Sequence, residues 1–310
     1  MTTTLPLFYF RPTICCIDDD PLFLDALTIS LTEHYNCITF SKPEEALQFF
    51  TSYQSPLSMI NFTHDLIESD FFGLSNQLPV NTNLSKITQL ENLSQKEAEI
   101  SVLIVDQNMP KRSGLEVCKK LKNSLFKKIL LTGETSHEKA VEAFNQGLIN
   151  KFIHKDKVVS QLEKSIQELT SQFFHERTAH LLSQLESSRL SPLSDPIFVD
   201  FFKKWRESNK IQEFYLINKQ GSFLTKDNQG KSHYFVVLSE HDRSDFIRLN
   251  DEISDKVGPL LNRLAMGEII PFFGIGKECW EFDFNNWGQF FYPANTIQGR
   301  ENYYWTAITC

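Results

Sequence analysis

The sequence predicts a doubly wound α/β domain with a five-stranded parallel sheet, followed by an α+β domain with a mainly antiparallel sheet. Three observations carry this. Between residues 13 and about 170, five short apolar runs are each followed by an amphipathic stretch. Each run has an apolar centre, as strands covered on both faces do. After SPLSDP at 191–196, aromatic runs take over, broken at KQG and DNQG, both hairpin signals.

Taken in order, TICCID reads as a strand and PLFLDALTISLTEHY as a helix. CITF and PEEALQFF form the second such pair, SVLIVD and GLEVCKKLKNS the third, KKILLTG and HEKAVEAFNQGL the fourth. KFIHK is the last strand, with a helix from about 157. Residues 52–98 interrupt the alternation as an insertion much longer than a crossover needs. They are expected to form one or two short helices capping a sheet edge, or a mobile flap. The receiving domain is placed at 1–160, a long connecting helix at 157–190 and the second domain at 196–310. In the helix, Leu162, Ile166, Leu169 and Phe173 form a heptad-like seam that meets Arg177 and resumes at Leu181 and Leu185. Two readings stand: packing on the domain's own sheet for the first turns, or a two-stranded interface beyond them. In the second domain IFVDFFKKWRES is a helix, EFYLINKQGSFLTKDNQGKSHYFVVLS three strands and 241–266 helical. IIPFFGIG, ECWEFDF, WGQFFYP and NYYWTAITC are expected as further strands.

Charge and composition exclude several classes. The net charge of -8 gives the chain no general attraction for nucleic acid or an anionic membrane. No apolar run is long enough to span a bilayer, and the amino terminus lacks the basic start of a signal peptide. The six cysteines form no CxxC pair and sit in apolar runs, as reduced thiols of a cytoplasmic protein do. The eight histidines show no metal-ligand spacing.

The strand ends carry the chemistry. Asp18, Asp19 and Asp20 end the first strand, Asp106 the third, Thr132 the fourth and Lys155 the fifth. A parallel sheet collects all of them at one edge. Carboxylates so close repel unless a cation neutralises them, and an all-oxygen set suits Mg2+. A lysine and a hydroxyl beside the cation suit an anion, so the edge can take a phosphoryl group onto a carboxylate. Taken singly each residue has a plainer role: Asp20 before Pro21 is a helix N-cap, Asp106 a turn cap, Thr132 a strand end and Lys155 a solvated lysine.

As a set, CIDDDP, IVDQNMP, LLTGE and KFIHK resemble the receiver domain of two-component response regulators, the CheY-like family, over about 13–165 apart from the insertion. The resemblance implies a CheY/flavodoxin-like fold, with Asp106 as phosphoacceptor and Thr132 and Lys155 as catalytic partners. It implies Mg2+ held by Asp19 directly, by Asp18 through water, by Asp106 and by the backbone carbonyl of Asn108. Pro110 and Gly114 match the turn that follows, and Phe152 the aromatic residue that reorients with Thr132. Asn108 and Glu134 are similar to chemotaxis-type receivers, where such residues tune hydrolysis, and imply a short-lived phosphoryl state. Two features depart from the family: Asp156 follows Lys155 where proline is usual, and the insertion is not standard.

The resemblance further implies a sensor histidine kinase or phosphotransfer protein as partner, and no enzymatic activity beyond the receiver's own phosphoryl transfer and dephosphorylation. Phosphorylation is expected to switch the second domain and to promote a homodimer through the 157–190 helix. From residue 191 onward the chain holds 13 Lys plus Arg against 16 Asp plus Glu. That mild acidity argues against a DNA-binding output. The alternative, an output domain that binds nucleotide or nucleic acid and regulates transcription, has its basic feature in KKWR at 203–206. The layout of the whole chain resembles quorum-sensing response regulators of Legionella.

Overall fold

The computed structural model describes residues 4–59, 84–133, 137–186 and 192–310. Two compact units emerge. The first takes residues 10–60 and 93–177, the second residues 2–9, 61–92 and 178–310. Among the described residues, 4–9 and 84–92 group with the second unit.

After β1 (Phe8–Tyr9), which pairs in the second unit, the first unit begins with β2 (Thr13–Ile17), α1 (Pro21–Leu31), β3 (Asn36–Phe40) and α2 (Pro43–Ser52). Past α3 (Leu84–Gln89), a second-unit helix, it continues with β4 (Ile100–Asp106), α4 (Gly114–Lys120), β5 (Lys127–Thr132), α5 (His137–Asn145), β6 (Lys151–His154) and the long α6 (Val158–Glu186). The five parallel strands lie in the order β3-β2-β4-β5-β6. Every residue of β2, β4 and β5 is buried, which is why the centres of these runs read as apolar. Two apolar clusters result. Ile14, Val102, Ile104 and Ile129 face Leu162, Ile166 and Leu169 of α6. Cys15, Leu103, Val105 and Leu130 face Val117, Ala140 and Ala143 on the other side.

The seam in α6 is therefore used within one chain. Leu162, Ile166, Leu169, Phe173 and Leu181 are all buried. Lys127 and Lys151 pair with Glu176 and Glu168 of this helix, each at 2.5 Å. Arg177 meets the seam because it reaches a buried carboxylate, Glu99, at 3.8 Å, and donates to Ser55 Oγ at 2.9 Å. Leu162, Ile166 and Leu169 pack on the domain's own sheet, as the first of the two readings has it, because a helix laid on a sheet needs the same spacing as a two-stranded seam. The side chain of Leu185 lies outside the described residues.

The second unit is built on a six-stranded sheet in the order β1-β7-β8-β9-β13-β12, with every pair antiparallel. Its elements are α7 (Pro196–Ser208), β7 (Ile211–Leu216), β8 (Phe223–Asp227), β9 (Ser232–Ser239), α8 (Glu240–Leu249), α9 (Ser254–Ala265), β10 (Ile269–Pro271), β11 (Phe291–Pro293), β12 (Asn295–Gln298) and β13 (Asn302–Thr309). β10 and β11 form a separate two-stranded sheet. Phe198, Phe202, Phe214, Phe223, Phe235 and Tyr303 are buried against one another, so these aromatics are core. ECWEFDF is not a strand. Cys279–Glu281 forms a 3-10 turn, and Asp283 then caps a second one over Phe284–Phe290. Alternating aromatics imitated a strand there, while the carboxylates were capping turns.

Candidate functional site

The described part of the site lies at the carboxyl edge of the parallel sheet. β2 ends at Ile17, so Asp18 leaves the sheet at this edge, where β4 ends in Asp106. Both carboxylates are buried, at 1% and 2% exposure, and Asp19 is exposed. Asp18, Asp19 and Asp106 each offer an oxygen, and these atoms lie within 4.8 Å of one another. Lys155 Nζ bridges two of them, 2.9 Å from Asp18 Oδ2 and 3.0 Å from Asp106 Oδ1. The backbone N–H of Asp20 donates to Asp18 at 3.0 Å, and that of Asn108 to Asp106 Oδ2 at 3.0 Å.

The electrostatics follow from this geometry. Burial pushes the Asp18 carboxyl above the usual carboxylate range; Lys155 and the Asp20 N–H pull it back, and Asp106 adds repulsion. For Lys155 burial acts against the charge, but its bonds to Asp18 and Asp106 outweigh this, and its pKa stands above that of a free lysine. The ammonium is therefore held in place as a fixed positive charge. It also lies 5.0 Å from the centre of the Phe23 ring, a contact the sequence reading missed. Phe23 stands three residues after Asp20, in the first turn of α1, and that spacing was the available signal.

Each sequence-predicted residue has a place. Asp20 is the N-cap of α1, accepting from Leu22 and Phe23 N–H, so the plain reading holds for it. Thr132 ends β5, is fully buried, and among the described residues its Oγ1 has no hydrogen-bond partner. A buried orphan hydroxyl costs free energy, so it is poised to bond to something arriving. Phe152 is half-buried on β6, with its ring 6.4 Å from that of Phe144. Asn108 is exposed; its amide nitrogen would lie 3.6 Å from a Cβ placed on Gly133. Glu134, the other hydrolysis-tuning position, lies outside the described residues. Asp156 turns outward and pairs with His154 at 3.2 Å, within a 3-10 turn over Lys155–Lys157.

The loop after Asp106 is tightly made. Gln107 Oε1 accepts from Leu115 N–H at 3.2 Å, and Ser113 with Glu116 closes a capping box on α4. A Cβ on Gly114 would lie 2.3 Å from the Asp106 carbonyl oxygen, so only glycine fits. Gly114→Ala is expected to cost about 2 kcal/mol and to displace Asp106. Urea unfolding and a Mg2+ titration check this, and an unchanged Mg2+ affinity would contradict it. Thr132→Val removes an unpaired hydroxyl and keeps the shape. It is expected to leave stability unchanged or raise it by about 1 kcal/mol. A clear loss in a thermal melt followed by circular dichroism would show that the hydroxyl is bonded.

Comparison with known proteins agrees with this geometry. A model of the response regulator receiver domain matches residues 71–167, which contain Asp106, Thr132, Phe152 and Lys155; Asp18 and Asp19 stand before it, across the insertion. A search of curated proteins returns no match. Among solved structures, the response regulator LqsR of Legionella pneumophila is similar over 100% of this chain and 91% of its own, at 28% identity and a TM-score of 0.79. An adenylate cyclase from Rhodopirellula baltica aligns with 58% of this chain and 99% of its own, at 19% identity and a TM-score of 0.39. Among the described residues, no helix is long and apolar enough to cross a membrane. The five-stranded parallel unit, with its acidic edge, threonine and lysine, is a CheY-like receiver domain, the domain whose model matches residues 71–167.

Proposed function

We infer that this chain is a two-component response regulator in which Asp106 accepts a phosphoryl group from a histidine kinase or phosphotransfer protein. The observation that carries the reading is the ammonium of Lys155 set between Asp18 and Asp106, with Thr132, unpartnered among the described residues, ending β5 at the same edge. The acidic set fits Mg2+ by the chemistry of its donors: hard oxygens, few in number, with one carboxylate exposed to solvent. Asp18, Asp19, Asp106 and the Asn108 carbonyl would hold the ion. When bound it supplies positive charge for the transferred oxygens.

The chain's own residues do the rest. Asp106 Oδ attacks the phosphorus of the phosphohistidine, the P–N bond breaks, and the electron pair leaves on the donor imidazole. Lys155 stabilises the charge spread over the phosphoryl oxygens. The Thr132 hydroxyl gains a partner when it bonds to one of them, and β5 and β6 with Phe152 move with it. Asn108, at the mouth, and Glu134 position the water that hydrolyses the acyl phosphate. The receiver's own phosphoryl transfer and dephosphorylation are the only chemistry assigned to the chain.

The second unit is the output. Its mild acidity and aromatic core support a protein-binding role or a homodimer more than nucleic-acid binding, and a phosphorylation-dependent dimer through the helix of residues 157–190 is part of this reading. A cytoplasmic quorum-sensing relay is the setting supported by the full-length likeness to LqsR. The test is phosphoryl uptake from acetyl phosphate, read by intact mass with Mg2+ and with a chelator, and coupled to light scattering. Uptake of one phosphoryl group with Mg2+ alone is expected, followed by a rise in mass. Uptake unaffected by chelation would sink the metal role, and an unchanged mass at full phosphorylation would sink the dimer.

A further inference from the structure

The receiver holds a second concave site, at the opposite edge of its sheet. Thr13 and Ile100 begin β2 and β4, Cys37 and Ile38 stand near the start of β3, and all four border a cavity of about 350 Å³. Phe49 and Tyr53, from α2 and its C-cap, add two aromatic walls. The cavity opens past Ser94, Gln95 and Ala98, all exposed. It is a concavity of the surface, the shape in which small-molecule sites occur.

The walls are held open by groups that already have partners. Tyr53 Oη accepts from Ile100 N–H at 2.8 Å and donates to the Ala98 carbonyl at 3.2 Å. Behind it, Ser55 Oγ and Leu57 N–H donate to Glu99, and Arg177 lies against both Glu99 and Ser55. Among the described residues, no Asp, Glu, Lys, Arg or His lines the cavity, so they offer nothing to pair with a ligand charge. Gln54, Ser94 and Gln95 offer neutral polar atoms near the opening. The volume accommodates roughly fifteen to twenty non-hydrogen atoms at ordinary packing density. That is the size of a small molecule.

We propose that this cavity, at the amino-terminal edge of the receiver sheet, is a binding site for a small, uncharged, mainly apolar molecule. It stands apart from the phosphoryl site, and its wall continues through Ser55 and Glu99 to Arg177 of α6, the helix that leads into the second unit.

The probe is N-phenyl-1-naphthylamine, an uncharged dye of matching size, added to the full chain and followed by fluorescence. Saturable binding in the micromolar range is expected. Ala98→Trp and Ser94→Trp, both at exposed positions, are each expected to weaken it by at least about tenfold. Both variants are checked by circular dichroism and by retained phosphoryl uptake, and two positions guard against one misfolding. The anionic relative 1-anilinonaphthalene-8-sulfonate is expected to bind at least about tenfold more weakly than the uncharged dye. Alkylation of the half-buried Cys37 thiol, read by peptide mass spectrometry, is expected to slow when the uncharged dye is present. The proposal is overturned by an absence of saturable binding, by tryptophan variants that bind as the wild type does, by equal binding of the anionic dye, or by unprotected Cys37.

Discussion

Asp106→Asn takes up no phosphoryl group from acetyl phosphate, while the folded receiver persists. The substitution keeps the shape of a buried side chain at 2% exposure and its bond from the Asn108 N–H, but removes the nucleophilic oxygen pair. It also removes one of two carboxylates that hold Lys155, which keeps its 2.9 Å bond to Asp18. Uptake should fall by at least about a thousandfold, the scale lost when a covalent nucleophile is removed. Stability should change little, because Asp18 and Asp106 repel each other and one charge of that pair is gone. Intact mass spectrometry and thermal melting read the two effects separately. Wild-type uptake by the variant would move the phosphoacceptor elsewhere.

The second large effect is structural and lies in the output unit. Asp195 is the N-cap of α7 and is 1% exposed. Its carboxylate accepts from Ile197 N–H at 2.9 Å, Arg300 N–H at 2.5 Å and the Tyr303 hydroxyl at 3.0 Å. It therefore joins the start of α7 to the β12–β13 hairpin, and a Cβ on Gly299 would collide with it. Asp195→Ala leaves three donors without a partner, and a cost of about 3–4 kcal/mol is expected. The four tryptophans, Trp205, Trp280, Trp287 and Trp305, all belong to the second unit, so fluorescence-detected urea unfolding reports on it directly. A loss below about 1 kcal/mol would contradict this account of the cap.

The same carboxylate has a pH signature. Burial alone would raise its pKa, but the donors from Arg300, Ile197 and Tyr303 outweigh burial and hold it below the usual carboxylate value. A depressed carboxylate stabilises the fold fully above its unfolded pKa of about 4. That contribution declines as the pH falls through the lower folded value. The stability difference between wild type and Asp195→Asn should thus stay constant from neutral pH to about 5 and shrink below about 4. A difference that grows toward acid would reverse the sign and overturn the argument.

Much of the receiver was legible because its signals are local. The runs TICCID, SVLIVD and KKILLTG each have an apolar centre, and Asp18, Asp106 and Thr132 near their carboxyl ends fall at the sheet edge. Asp18, Asp106, Thr132 and Lys155 needed only strand order and direction to be brought together. What escaped the reading depends on contacts distant in sequence. Phe8 and Tyr9 form a two-residue strand against Tyr215 and Phe214, which no local pattern encodes. Glu91, at the end of the insertion, pairs with Lys226 at 3.2 Å, and so joins the second unit. The heptad spacing of α6 was real, but a sheet and a second helix ask for the same face. Arg177 marked the difference, since a charge in an apolar seam needs a buried partner, here Glu99.

The central claim is that Asp106 carries the phosphoryl group. The most direct test is borohydride reduction of the phosphorylated full-length chain, followed by peptide mass mapping, which marks an acyl phosphate at the residue that bore it. Reduction at Asp106 alone, absent when Mg2+ is chelated, is the predicted result. Reduction at Asp18 or Asp19, or phosphoryl uptake with no reducible carboxylate, would contradict it.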